Sequence, residues 1–251
     1  MSRPGFALEV DERTPPLLVR SGSNVRLERF SLGTQVVYGP DAEPWGDTGA
    51  MAAAALATPL DGAALADRLR PGMRLTITFS DVTVPTPWAR DDVRRRLVED
   101  VLEAAAKAGV DDVVLIAANG LRRRLTAKDQ MALLGERVCR SFAGDGRLRS
   151  HDAEDTEALV TIGDVDGHDV AINRRLVESD LVVHVGVVSE RGHGGWAELA
   201  TGFGSADTID LAVGRPGRVT EVATVVRAGL DVVSVTAVLG QPAYSGALRF
   251  L

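Results

Sequence analysis

Residues 76–118 constrain the architecture more than any other stretch of this chain. Leu75, Ile77 and Phe79 alternate with threonines, the period-2 pattern of a strand. Pro85 and Pro87 cannot donate a ladder hydrogen bond, so that strand has to end near Asp81. A helix follows at once, because Val93, Leu97, Val98, Val101, Leu102 and Ala105 recur at helical spacing. Asp91 and Asp92 open it, Lys107 sits in its last turn, and Gly109 is the expected stop. Residues 113–118 then form a continuous apolar run, as expected of a parallel strand covered on both faces. Strand, helix and strand make a βαβ unit, whose crossover is right-handed.

The remainder of the chain fits the same class. Strands are expected at 6–10, 25–27 and 34–38, and helices at 51–57 and 60–69. Thr126 to Asp129 resembles a capping box that starts a helix through Leu134. Short strands at 147–149 and 158–162, a turn at 164–167 and a brief helix at 173–178 lead to an apolar strand at 181–188. Residues 189–207 hold five glycines and read as a loop region. A helix at 220–228 and a strand at 232–239 close the chain. The expected fold class is α/β, a mainly parallel, Rossmann-like sheet with flanking helices and a β-rich N-terminal segment, as a single domain over 1–251.

Composition removes several classes of function. The net charge of −7 argues against a nucleic-acid partner, and no apolar run approaches the ~20 residues a membrane helix needs. Cys139 is the single cysteine and cannot form an internal disulfide. With no apolar signal region at the N-terminus, a cytoplasmic location is expected. Lysine occurs only at 107 and 128, and histidine only at 151, 168, 184 and 193. Chemistry that needs a lysine nucleophile or clustered histidines therefore has few candidates.

Ligands in open α/β sheets bind beyond the carboxyl ends of the strands, which singles out three loops. Asp81 and Thr83 follow the first strand and could orient a small polar ligand; equally, Asp81 could cap the next turn. Asn119, Gly120, Arg122 and Arg123 follow the second strand, where glycine permits close approach and guanidinium groups suit phosphate or carboxylate; a solvated basic turn is the alternative. Arg191 and His193 lie in the third loop, and His193 has a side chain suited to acid–base work or to simple solvation. His184 reads as a satisfied core residue, His151 as a partner for a carboxylate, and Arg94, Arg95 and Arg96 as the wet face of their helix. No P-loop, G-x-G-x-x-G, cysteine pair or H-E-x-x-H is present, and no metal ligands are assigned.

Several of these segments together resemble one family. Residues 80–87, Ser-Asp-Val-Thr-Val-Pro-Thr-Pro, are similar to the S-D-x-T-R-P-x-P motif of the nickel-dependent lactate racemases. Residues 118–126, Ala-Asn-Gly-Leu-Arg-Arg-Arg-Leu-Thr, resemble that family's A-T-G-T-H-R-P-M-T. His151 to Ala153, Ala171 to Arg174, Ser179 to Leu181 and the glycine-rich stretch from Gly192 follow in the family's order. The resemblance runs from about residue 30 to the end, over the family's N-terminal domain, without its C-terminal one. It implies a 2-hydroxy-acid racemase or epimerase, an isomerase using a nickel-pincer nucleotide attached to a lysine and two proton-shuttling histidines.

This chain departs from that pattern where the chemistry lies. Arg122 stands at the first histidine position, Arg191 at the second with His193 two residues on, and Val84 at the motif arginine. The lysine has no counterpart near Leu199 to Thr201, and the stretch with a further nickel-binding histidine is missing between Thr208 and Arg218. The resemblance implies catalytic positions at His193, Arg122 and Arg191, and cofactor contacts at Asp81, Thr83, Asn119, Gly120 and Arg123. The expectation is a divergent, lactate racemase-like protein, its covalent nickel chemistry lost and a pocket kept for a small anion such as a hydroxy acid or phosphate. The alternatives are an active racemase on another 2-hydroxy acid, as a homo-oligomer or with a partner subunit, and an unrelated α/β small-molecule-binding protein.

Overall fold

In the computed structural model the described residues are 5–21, 24–38, 47–81, 92–188, 194–215 and 217–238. Thr83, Pro85, Pro87, Arg191 and His193 lie outside them. Contacts divide the chain into two compact units, the larger formed by Asp47–Val84 and Asp92–Ala237. The smaller unit carries four short strands. β1 (Phe6–Glu9) pairs antiparallel with β4 (Gln35–Tyr38), and β2 (Leu17–Ser21) with β3 (Asn24–Glu28). Strand β2 had no sequence expectation.

The larger unit opens with α1 (Thr48–Ala57) and α2 (Leu65–Arg68), the latter shorter than expected. Then come β5 (Arg74–Ser80), α3 (Val93–Lys107), β6 (Asp112–Ala118), α4 (Ala127–Phe142) and β7 (Leu148–Ser150). The antiparallel hairpin β8 (Leu159–Val165) and β9 (His168–Asn173) follows, then α5 (Arg174–Val177) and β10 (Leu181–Val188). Helices α6 (Gly195–Phe203), α7 (Ala206–Val213) and α8 (Arg218–Gly229) lead to β11 (Val232–Val238). Helix α4 carries the capping box in full: the Thr126 hydroxyl receives the Asp129 N–H while Asp129 receives the Thr126 N–H.

Two regions depart from expectation. The turn expected at 164–167 joins a hairpin whose second strand, β9, was not expected: Asp166 and Gly167 both take positive φ (51° and 78°), the conformation of a two-residue turn that matches strand twist. Residues 195–203 are helical where a loop was expected, and α7 begins at the end of that region and runs through residues for which no element was expected. Leu199, Ala200, Phe203 and Ile209 are buried there, and the area removed from water outweighs the low helix propensity of the glycines.

The main sheet runs β11-β10-β5-β6-β7, and the pairs β10–β5, β5–β6 and β6–β7 are parallel. Helices α3 and α4 cover one face, over Leu75, Ile77, Phe79, Leu115 and Val183. Helices α6 and α8 cover the other, over Ile116, Ala118 and Val182. From β5 the chain winds one way to β6 and β7 and later returns on the other side to β10. The topological switch point therefore lies between the carboxyl ends of β5 and β10, where such sheets hold their ligands.

Candidate active site

On the α6 face, the alternate residues of β5 are Thr76, Thr78 and Ser80, all fully buried and all polar. Each is matched. Arg175 Nε donates to Thr76 Oγ1 at 3.1 Å. Thr78 Oγ1 lies 3.0 Å from His184 Nδ1, across the Thr78↔His184 pairing. Ser80 Oγ accepts the Val187 N–H at 3.1 Å and bonds the Glu198 carboxylate. His184 Nε2 donates to Glu198 Oε2 at 3.2 Å, so both imidazole nitrogens are used. His184 is thus a satisfied core residue, as expected, but its partner was not foreseen. Burial pushes the Glu198 carboxyl up. The His184 and Ser80 hydrogen bonds and the His184 charge outweigh this and hold it below its ordinary value.

On the rim above, the register Ser80↔Ala118 sets Asp81 and Asn119 side by side, one residue beyond the ladder. Asp81 is 2% exposed, and its Oδ2 accepts Arg122 Nε at 2.7 Å. Arg122 Nη2 donates to the Ala118 carbonyl at 3.0 Å. The Arg122 side chain stays 46% exposed, and its Nη1 has no partner among the described residues. Arg94 lies beneath, against the wet-face expectation. It is 1% exposed, bonded to the backbone carbonyls of Ser80 and Asp81, and paired with Asp92 at 2.6 Å. A buried guanidinium is tolerated only with such matched acceptors.

The turn after β6 is held from two sides. Asn119 Nδ2 faces the carbonyls of Gly120, Arg122 and His151 at 3.3, 3.2 and 3.0 Å. Gly120 takes φ 51° and donates to the Gly202 carbonyl of α6 at 3.0 Å; a Cβ there would stand 2.3 Å from the Thr201 carbonyl. Arg123 turns away and pairs with Asp129 at 2.5 Å, at the start of α4. His151 does not meet a carboxylate side chain. Asn173 Nδ2 donates to its Nδ1 at 3.1 Å, and its Nε2 donates to the Gly204 carbonyl at 2.9 Å. Burial lowers its pKa, so it stays neutral at pH 7.

The rim thus gathers Asp81, Asn119, Gly120 and Arg122, with Glu198 and His184 just below. Arg123 is spent on a helix cap. Comparison with known proteins fits this geometry. The model of the lactate racemase N-terminal domain matches residues 30–214. The chain belongs to that family. The lactate racemase apoprotein from Thermoanaerobacterium thermosaccharolyticum superposes at TM-score 0.63 with 21% identity, over 76% of this chain and 49% of that one. A structural-genomics protein from Thermotoga maritima superposes at TM-score 0.53 with 14% identity, over 69% and 48%. The chain therefore spans about half the length of the solved proteins it matches. No curated protein gives a significant match.

The resemblance to the nickel-dependent lactate racemases implies a nickel-pincer nucleotide held by a lysine and histidines. No lysine follows Lys128, and Lys107 pairs with Glu103 on the helix surface. His151 and His184 spend both nitrogens inside the protein. Among the described residues no group of three or more His, Cys, Asp or Glu could hold a metal ion. Among them, too, no helix is long and apolar enough to cross a membrane.

Proposed function

We propose that this lactate racemase-like protein binds a small organic acid or phosphate at the β5–β6 rim, and that covalent nickel-pincer chemistry is lost from it. The observation that carries the reading is the state of Arg122, at the position where the family motif has a proton-shuttling histidine. Asp81 and the Ala118 carbonyl fix the guanidinium by its Nε and Nη2 edges, leaving Nη1 and nearly half of the side chain to a ligand. A guanidinium stays protonated at neutral pH and cannot serve as a base, but it makes strong charge-assisted bonds to carboxylate or phosphate. The anchoring by Asp81 lowers the conformational cost of binding. The position beyond the carboxyl ends of two parallel strands and the close approach of Gly120 to α6 support the same assignment.

Millimolar lactate or phosphate is expected to raise the melting temperature. At saturation near 100 times Kd the gain is about 2.7 kcal/mol, or roughly 5–10 °C for a chain of this size. Arg122→Ala should remove that gain; because it also leaves the buried Asp81 carboxylate without this partner, its ligand-free melt should fall, and the anion-induced shift is read against each protein's own ligand-free melt. An unchanged melting temperature with every small anion would count against the pocket.

A further inference from the structure

Asn119 carries the least explained atom of the rim. Its side chain is 1% exposed, and its Oδ1 is the one buried side-chain polar atom without a hydrogen-bond partner among the described residues. The amide orientation is fixed, because the three carbonyls around Nδ2 would repel an oxygen placed there. One of those carbonyls belongs to His151, just past the end of β7, so the nitrogen edge turns toward β7. On β5, the neighbour that the register sets beside Asn119 is Asp81 with its bound Arg122. Holding the turn needs only a donor. The acceptor that comes with it is costly to bury unmatched, and a native protein rarely leaves such a group without a purpose.

We propose that Asn119 Oδ1 is the specificity-determining acceptor of the rim site, selecting acids that carry an O–H or N–H donor beside the carboxylate. In this arrangement Arg122 takes the carboxylate and Asn119 takes the donor. Asp81, already neutralised by Arg122, supplies no competing charge. A ligand with hydrogen or a carbonyl in place of the donor leaves Oδ1 unmatched, and a site built around a polar contact rejects such analogues strongly. The inference rests on the acid pocket described above, and the experiment separates the two.

Calorimetric titration would compare lactate and alanine, the smallest donor-bearing probes, with propionate and pyruvate, which lack the donor. Lactate or alanine is expected to bind at least about ten-fold tighter than propionate and pyruvate. Which of the two prevails tells a hydroxyl from an ammonium donor, and either supports the assignment. Asn119→Ala should bring all probes to the propionate level. If that variant does not fold, the side-chain amide signal of Asn119 in the wild type replaces it, moving with the preferred probe and not with propionate. Equal, Arg122-dependent binding of all four probes would overturn the role of Asn119 and leave the acid pocket standing, its oxygen satisfied by water. No Arg122-dependent binding at all would overturn both.

Discussion

Glu198→Ala is expected to destabilise the protein by about 3 kcal/mol, the cost of leaving a buried imidazole N–H and a buried hydroxyl without their acceptor. His184 is fully buried, and the substitution strips the acceptor from its Nε2–H and from the Ser80 hydroxyl. It also removes the polar contact that seats α6 on β5 and β10. For a chain of this length the melting temperature should fall on the order of 10 °C. The carboxylate adds a pH dependence of definite sign. Because the folded group ionises below its ordinary value of 4.5, the stability it adds is complete above about 4.5. That stability is lost as pH falls through the lower, folded value. Glu198→Gln, which keeps the shape and one acceptor, should be milder at pH 7 and should flatten that acid limb. Melting curves from pH 3 to 7 check both statements; equal acid sensitivity in the wild type and Glu198→Gln would contradict them.

Gly120→Ala is the second large effect. Its φ of 51° already costs a residue with a Cβ about 1–2 kcal/mol. The new methyl would stand 2.3 Å from the Thr201 carbonyl, a backbone atom that cannot swing aside. Either the turn or α6 has to move, so a loss of about 3 kcal/mol or more is expected. The same shift displaces Asn119 and Arg122, so anion stabilisation should disappear as well. Gly146→Ala is the control: its φ is also positive (76°), but nothing lies within 4 Å of the added methyl, so only the backbone cost should appear. Equal losses at the two positions would show that the contact with α6 contributes nothing.

The parts of this fold that could be read from sequence are those whose signals are local. The prolines after Asp81, the apolar stripe of α3 and the uniform run of β6 place one βαβ unit, and with it two of the three rim loops. Arg94 was legible in principle. It lies three, four, seven and eleven residues before Leu97, Val98, Val101 and Ala105, on the buried stripe of α3, and its charge alone suggested solvent. Helix α6 was hidden because its glycines argue against a helix, and only tertiary packing shows why one is required. A Cβ at Gly202 would lie 2.7 Å from that of Ala118, so the helix approaches β6 through its missing side chain. Glu198 was missed for the same reason: nothing within its own helix announces a histidine fourteen residues earlier on a strand. Of the guanidinium groups after β6, sequence could not tell which one stays on the rim. Asp129 takes Arg123 and Asp152 takes Arg124, which leaves Arg122 beside Asp81.

We propose that this chain keeps an anion-binding rim and has given up the family's covalent cofactor. Intact mass with nickel analysis, on protein made in cells that assemble the nickel-pincer nucleotide, tests it most directly. The expected result is the mass of the unmodified polypeptide with nickel far below one atom per chain. A nucleotide-sized addition accompanied by stoichiometric nickel would contradict it.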